Sequence, residues 1–129
     1  MMVEQGFLGG DPLMHLIQLK WYLRTIGNAL LDQGVHVDDM SREDAMRLMT
    51  HDTFQEEREA TAKWVRAQLT SAQLPTYFVG VQEHLALREE AKKKWGKNFS
   101  LKLYHDMVLS FGSPPVRYVR ELALDLPID

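Results

Sequence analysis

The histidines are the first candidates for chemistry in this sequence, and they are His15, His36, His51, His84 and His105. None stands three or four residues from another, so the helical pair of histidines that grips zinc beside a glutamate is absent. The chain has no cysteine, which excludes disulfides, thiolate catalysis and zinc–thiolate sites. A metal site assembled from distant residues stays open, and surface or capping histidines are the favoured interpretation.

A polar stripe is the second candidate. Arg24, Asn28 and Asp32 follow one another at four-residue steps, which places them on one face of a helix. The stripe indicates either a buried polar network facing a cleft, with His36 just beyond the helix end, or the solvated face of an amphipathic helix. From the residues alone, the solvated face is favoured.

Tyr77 is the third candidate, because it lies near a predicted helix start. A phenol hydroxyl aimed into a cleft can stabilise an oxyanion. Gly80 follows about one turn later and would let another backbone approach closely. The alternative is a half-buried ring that packs beside Phe78, and the residues alone favour that alternative.

Two other polar groups favour structural roles. His105 and Asp106 are adjacent, and adjacent helical residues point about 100° apart, so they cannot form a catalytic dyad by themselves. The lysine-rich segment 88–97 includes Trp95 and resembles an RNA or phosphate patch, but cations in the last turn of a helix explain it fully. Glycine-rich phosphate loops and serine nucleophile elbows are not present in the sequence.

Helices must position these residues, since the apolar spacing is helical and no run sustains period-two alternation. We predict an all-α fold, a compact bundle of about six helices with short connections. The first predicted helix begins at Asp11-Pro12 and ends at Gly34, and the second begins at Ser41 with Asp44 as its capping partner. The third begins at Thr53 with Glu56 and ends at about Leu69, and the fourth runs from Pro75 to Trp95, before Gly96. The fifth runs from Ser100 to Phe111, before Gly112, and the sixth begins at Ser113-Pro114-Pro115.

The helical spacing also predicts which faces are buried. The first helix carries the clearest apolar stripe, formed by Leu16, Leu19, Leu23, Ile26 and Leu30. On its opposite side, Leu13, Ile17 and Trp21 would lose their cover if this chain were detached from a larger protein. The third helix is predicted to bury Phe54, Thr61, Trp64 or Val65, and Leu69, with Glu57, Glu59 and Lys63 outward; the sixth is predicted to bury Val116, Val119, Leu122 and Leu124.

Composition limits the class of protein. The chain has 129 residues and a formal net charge of -3, which fits one domain and excludes a generally basic nucleic-acid binder. No apolar run approaches the roughly 20 residues of a membrane span, and no signal segment opens the chain. We predict an irregular lead-in over residues 1–10 and a single helical domain over residues 11–129.

Segments spread over almost the whole chain resemble the C-terminal part of the bacterial DUF885 family, whose full members are several times longer. The segments that carry the resemblance are Leu31-Asp32-Gln33-Gly34-Val35-His36, Met40-Ser41-Arg42-Glu43-Asp44-Ala45, Arg66 with Gln73, Tyr77 and Gly80, Leu87-Arg88-Glu89, Trp95-Gly96, and Phe99 with Tyr104-His105-Asp106, Leu109, Gly112 and Pro114. Three positions depart from the family pattern: Ala67 replaces a common tyrosine, and Ser71-Ala72 replaces a frequent Pro-Gly.

The resemblance implies a helical C-terminal portion of a metallopeptidase-like hydrolase. Zinc is then expected in the full-length relatives, on a His-Glu…His motif that this chain lacks, so no cofactor and no activity are expected of this chain alone. Tyr77 and Arg66 become candidate catalytic residues that contact substrate or an oxyanion, and Asp32, His36 and Gln73 become candidate cleft-lining residues.

The implied partner is the missing upstream catalytic portion or a second copy bound through an exposed apolar helix face. Nucleic acid and a membrane span are not expected, and either a cytoplasmic or an exported location stays open. The alternative function is a stand-alone helical interaction or dimerisation module. A small independent enzyme using His36 or His105 is disfavoured, because the sequence offers no nucleophile–base pairing.

Overall fold

The computed structural model describes residues 3–128, and every regular element within them is helical. The α-helices are α1 (Pro12–Val37), α2 (Arg42–Arg47), α3 (Glu57–Leu69), α4 (Thr76–Trp95), α5 (Leu101–Ser110) and α6 (Val116–Leu124). A π-helical turn spans Leu48–Asp52, and 3-10 turns span Val3–Gln5, Phe7–Gly10 and Gly96–Asn98. The all-α prediction is confirmed.

The chain forms two compact units, Met1–Phe78 and Val79–Asp129. In the first unit α1, α2, the π-helical turn and α3 enclose a core of Leu31, Ala45, Met49, Ala60, Ala67 and Leu74. In the second unit α4, α5 and α6 enclose Leu87, Ala91, Tyr104, Val119 and Leu124. The 3-10 turns Val3–Gln5 and Phe7–Gly10 lie within the predicted lead-in, and the single domain over residues 11–129 stays a prediction.

Side-chain caps begin three of the helices where the sequence predicts them. The backbone N–H of Leu13 donates to Asp11 Oδ1 at 2.9 Å at the start of α1. Ser41 and Ser100 accept from the third residue beyond them, each at 3.1 Å. Each cap satisfies a backbone donor that the first turn of a helix leaves free.

Gly34 does not end α1, contrary to the prediction. The helix continues to Val37, and the Gly34 carbonyl accepts from the backbone N–H groups of Asp38 at 3.3 Å and Met40 at 2.9 Å. A Cβ at Gly34 would overlap the Met40 side chain. Gly34 therefore lets the Met40 side chain pack directly against α1, and it does not end the helix.

Thr53 does not cap α3, which begins four residues later at Glu57. The Thr53 side chain is buried, and its hydroxyl lies 3.1 Å from the Leu48 carbonyl and 3.0 Å from the Met49 carbonyl. It therefore closes the π-helical turn instead of opening a helix. The predicted capping box with Glu56 is wrong because the Thr53 hydroxyl bonds to carbonyls that precede it in the chain.

The inner face of α3 differs from the predicted one. The helix buries Ala60, Lys63 and Ala67 and half-buries Trp64, whereas Phe54, Thr61, Val65 and Leu69 are exposed. Small residues on this face let α3 lie close to α1, and close approach favours alanine over larger apolar side chains. The later start of α3 also separates Phe54 from the helix altogether.

The predicted apolar stripe of α1 is not its buried face. The buried positions of α1 are Gly27, Asn28, Leu31, Asp32 and Gly34, and all of them lie in its C-terminal half. Leu16, Leu19 and Leu30 are exposed, whereas Leu23 and Ile26 are half-buried. In α6 the prediction is wrong only for Leu122, which is exposed, whereas Val119 and Leu124 are buried and Val116 is half-buried.

Within residues 3–128, no helix combines the length and apolar character that crossing a membrane requires.

Gly27→Ala is expected to lower the free energy of unfolding by about 1–3 kcal/mol, because overpacking outweighs alanine's better helix propensity. A Cβ at Gly27 would lie 2.7 Å from Thr53 Cγ2, and the Thr53 hydroxyl is held by two carbonyls. Urea unfolding measures the change. Gly34→Ala is the matched control: it should lose less, since the Met40 side chain is flexible, and an equal loss would contradict the argument.

Candidate functional site

Two of the predicted site residues hold the connection between α3 and α4. The His36 ring nitrogen Nε2 lies 3.0 Å from the Ala67 carbonyl and 2.8 Å from the Thr70 carbonyl, where α3 ends. Asp32 Oδ1 accepts from the backbone N–H of Ala72 at 3.2 Å. His36 lies inside α1 rather than beyond it, so both side chains project from one helix onto one connection.

Arg66 and Gln73 secure the same connection from its other side. Arg66 Nη2 donates to Gln73 Oε1 at 2.9 Å, joining the last turn of α3 to the residues before α4. The structure thus brings Asp32, His36, Arg66 and Gln73 around residues 70–75. Their hydrogen bonds are to backbone groups and to each other, which is how a loop is positioned.

The connection itself is strained at Ala72, whose φ is +59°. A residue with a Cβ pays a steric cost in this left-handed region, whereas glycine does not. The family resemblance places a frequent glycine here, which fits the observed backbone. Asp32 holds the amide of this residue, so the carboxylate helps to stabilise the unfavourable conformation.

Tyr77 is not brought into hydrogen-bond contact with the other four candidates. It lies in the first turn of α4, its side chain is 57% exposed, and its hydroxyl has no hydrogen-bond partner among the described residues. A Cβ at Gly80 would meet nothing within 4 Å, so the close backbone approach expected there is not found. The Tyr77 hydroxyl is free to donate to a group from outside.

The polar stripe of α1 is buried rather than solvated at two of its three positions. Asn28 and Asp32 are buried, and Arg24 is half-buried in an ion pair with Glu59. Asn28 Oδ1 and Asp32 Oδ2 have no hydrogen-bond partner among residues 3–128. The favoured solvated face is therefore wrong, and the stripe is buried as in the alternative, although Arg24 bonds to Glu59 and Asp32 to the Ala72 backbone instead of to each other.

A buried lysine is the feature that sequence reasoning missed. Lys63 is 7% exposed, donates to Gln55 Oε1, and lies 3.6 Å from Glu59 Oε1. Gln55 Nε2 in turn donates to Thr53 Oγ1 at 2.9 Å. Glu59 and Lys63 are four residues apart, a spacing typical of an exposed pair, so the sequence carried no signal of burial.

The environment of Lys63 shifts its protonation. Burial is the largest cause that lowers the pKa of Lys63, and the positive charges of Arg24 and Arg66 lower it further, to about 8. Burial disfavours the charged form because the interior solvates an ammonium poorly, and neighbouring cations repel it. Groups with such shifts are candidates for functional sites, but Lys63 is not among the residues that line the cleft between α1 and the start of α3.

A cleft of about 240 Å³ opens in the first unit, between α1 and the start of α3. It is lined by Lys20, Trp21, Arg24, Thr53, Gln55, Glu56 and Glu59. The Arg24 guanidinium lies 4.7 Å from the centre of the Trp21 ring and pairs with Glu59. No serine or histidine lines this cleft, and the hydroxyl of its one threonine, Thr53, is held by the Leu48 and Met49 carbonyls.

The zinc implied by the resemblance does not fit the residues described. Among residues 3–128, no group of three or more His, Cys, Asp or Glu side chains could hold a metal ion. We therefore assign no step of any reaction through a metal to this chain's own residues.

Comparison with known proteins gives one family and one solved structure. The model of the family described as bacterial protein of unknown function (DUF885) matches residues 1–122. The solved structure is of "a putative lipoprotein of unknown function from Shewanella oneidensis", with a TM-score of 0.91 and 45% identity over 95% of this chain. The match spans only 22% of that protein. None of the curated proteins matches the chain.

The Lys63 pKa predicts a specific pH dependence of stability. The pKa falls from 10.5 to about 8 on folding, so between these values the unfolded chain binds more protons than the folded chain. The free energy of unfolding should therefore rise between pH 8 and 10.5, by about 1–3 kcal/mol. Urea unfolding at pH 7.5 and pH 10 measures this rise.

Lys63→Met should abolish that rise, whereas the control Lys102→Met, which changes an exposed lysine of α5, should keep it. The same pH dependence in wild type and Lys63→Met would contradict the assignment.

Proposed function

Because this chain belongs to the DUF885 family of bacterial proteins of unknown function, we propose that it is the helical C-terminal portion of a longer, metallopeptidase-like hydrolase. In this proposal the chain has no activity on its own and docks onto an upstream catalytic portion. The hydrolase assignment is supported by the sequence resemblance alone. The docking is supported by one structural observation, the uncovered N-terminal half of α1.

The uncovered half of α1 is apolar although it lies in register with the buried half. Leu13, Ile17 and Trp21 are 61%, 40% and 56% exposed. Leu13 precedes the buried Gly27 by fourteen residues, and Ile17 precedes the buried Leu31 by fourteen, so each pair shares a helix face. Trp21 precedes the buried Asn28 by seven residues, so all three side chains continue the buried face rather than oppose it.

Exposed apolar surface of this kind marks an interaction site in a folded protein. Leu16 and Leu19 are exposed as well, so this half of α1 is apolar on more than one side. Helices that are apolar around most of their circumference are normally enclosed within a larger protein. A longer polypeptide supplies such an enclosure, and the solved relative is several times longer than the part this chain matches.

The candidate site residues receive roles from the resemblance. Tyr77 would donate its hydroxyl to an oxyanion that forms on the substrate, as a neutral donor can do at low cost in a closed site. Arg66 would contact the substrate, and its guanidinium suits a carboxylate. Asp32, His36 and Gln73 would line the substrate cleft, and their hydrogen bonds to the α3–α4 connection would keep them in place.

The alternative function is a stand-alone helical interaction or dimerisation module, which the same exposed residues of α1 favour. The two functions predict different native masses in the source cells. A blot with an antibody against this chain should show a product several times larger than 14.9 kDa if the chain is a portion of a hydrolase. A product at that mass would overturn the proposal and leave the module.

Replacement of the tyrosine equivalent to Tyr77 by phenylalanine, in a longer relative with peptide-hydrolysing activity, should lower kcat by about 10²–10³-fold. The reason is that one oxyanion donor is removed while the ring and its packing stay. Steady-state kinetics measure the change, and thermal unfolding of the variant controls for loss of structure. An unchanged kcat would remove the assignment.

The isolated chain should self-associate, because Leu13, Ile17 and Trp21 leave 40–61% of their surface exposed on one face of α1. Ile17→Glu should weaken that association by at least about tenfold, since it places a charge on the apolar face. Sedimentation velocity over a concentration series measures both effects. Val65→Glu, which changes an exposed residue of α3, is the matched control; a stable wild-type monomer at high concentration would contradict the prediction.

A further inference from the structure

The cleft between α1 and α3 lies where the cover of α1 ends. Its volume of about 240 Å³ is below that of most small-molecule sites, which hold about 300–1,000 Å³. A space of this size suits one large side chain. In helix packing, a side chain of one helix inserts as a knob into a hole formed by residues of the other.

One wall of the cleft is held rigidly. The Arg24 guanidinium covers the Trp21 ring at 4.7 Å and is itself fixed by Glu59. Trp21 nevertheless stays 56% exposed, so a second surface of the indole is available. Buried tryptophans held in place beforehand are frequent anchors of protein interfaces, because little side-chain freedom is lost on binding.

Phe54 lies in sequence between the lining residues Thr53 and Gln55, and its own side chain is not part of the lining. Its φ is +51°, and its side chain is 64% exposed. A bulky residue in this region costs of order 1–3 kcal/mol and persists only where its surroundings impose it. Here the buried side chains of Thr53 and Gln55, joined at 2.9 Å, impose it. The chain thus holds an aromatic ring in solvent at a cost to its own stability.

We propose that this cleft receives one apolar side chain of an amphipathic helix from the upstream portion, and that this helix packs along α1 between Trp21 and Leu13 with Phe54 as the second anchor. The inference rests on the proposed function, since it names the element that docks there. The solved relative has 78% of its length outside the matched part, which is the source of such a helix.

A helix is the element that this surface fits. The C-terminal half of α1 is covered along the same face by α3 and the π-helical turn, and Leu13 and Ile17 continue that face for two more turns. The charges restrict the helix further. Between Asp11 and Asp32, α1 carries Lys20 and Arg24 and no acid. Arg24 is paired with Glu59, and Lys20 lies 4.0 Å from Glu56, so both cations already have acidic partners and an uncharged flank suits the docked helix here.

The experiment uses the absence of cysteine from this chain. Ile17→Cys is introduced into the whole chain, and the chain is then studied alone and in place of the matched part of the Shewanella oneidensis protein. At a concentration where the chain is monomeric, alkylation of this cysteine should be at least tenfold slower in the chimera. Leu109→Cys, at an exposed position of α5, is the control and should react equally in both.

Equal rates for Ile17→Cys in the two contexts would overturn the inference. Protection that appears in the chain alone and rises with concentration, with a disulfide between two Ile17→Cys chains, would assign the surface to a second copy and also overturn it. Peptide hydrolysis by the chimera reports the proposed function separately: activity without protection refutes only the docked helix, and protection without activity refutes only the hydrolase.

The variant Phe54→Gly tests whether Phe54 contacts the docked helix or only contributes to the stability of this chain. The isolated variant should unfold at higher urea than wild type because the strain is relieved, whereas in the chimera it should raise the alkylation rate of Ile17→Cys several-fold. An unchanged rate would remove Phe54 from the interface. If the chimera does not fold, hydrogen exchange on the unmodified Shewanella oneidensis protein decides: fast exchange over the segment matched to residues 12–23 would overturn the inference.

Discussion

The long first helix needs cover along one continuous face, and within residues 3–78 only its C-terminal half has that cover. Its 26 residues extend about 39 Å at 1.5 Å per residue. The core of the first unit lies against the last 11 of these 26 residues, from Gly27 onwards. The apolar side chains before that point lie in register with the buried ones, so the same surface passes from packed core to open solvent within one helix.

The close approach of α1 to the segment around Thr53 determines where the packed part of α1 ends. Gly27 lies against the Thr53 side chain, and the Thr53 hydroxyl closes the π-helical turn. From Thr53 the hydrogen bonds continue through Gln55 to the buried Lys63. This polar chain fixes the segment before α3, and with it the strained Phe54 and the wall of the cleft. The packing of Gly27 against Thr53, the protonation of Lys63 and the shape of the cleft therefore depend on one another.

The candidate site residues and the uncovered helix belong to the same unit and serve different parts of one proposal. Asp32 and His36 project from the packed half of α1 onto the α3–α4 connection, where Arg66 and Gln73 meet them. Tyr77 follows this connection directly with a free hydroxyl. A longer polypeptide that covers α1 would also meet the residues that α1 positions, which links docking to the assembly of a site.

Much of the local structure could be determined by the sequence alone, because capping and helix-stop signals act over a few residues. The caps at Asp11, Ser41 and Ser100, and the all-α class, were determined in this way. The family pattern named Asp32, His36, Arg66, Gln73 and Tyr77 as candidates, and only the structure showed that the first four meet at the α3–α4 connection. Only the tertiary structure decided which apolar face of α1 is buried, since a helix with two apolar faces has the same period on both. It alone placed Lys63 inside, because a Glu–Lys pair at helical spacing is typical of a surface until another helix covers it.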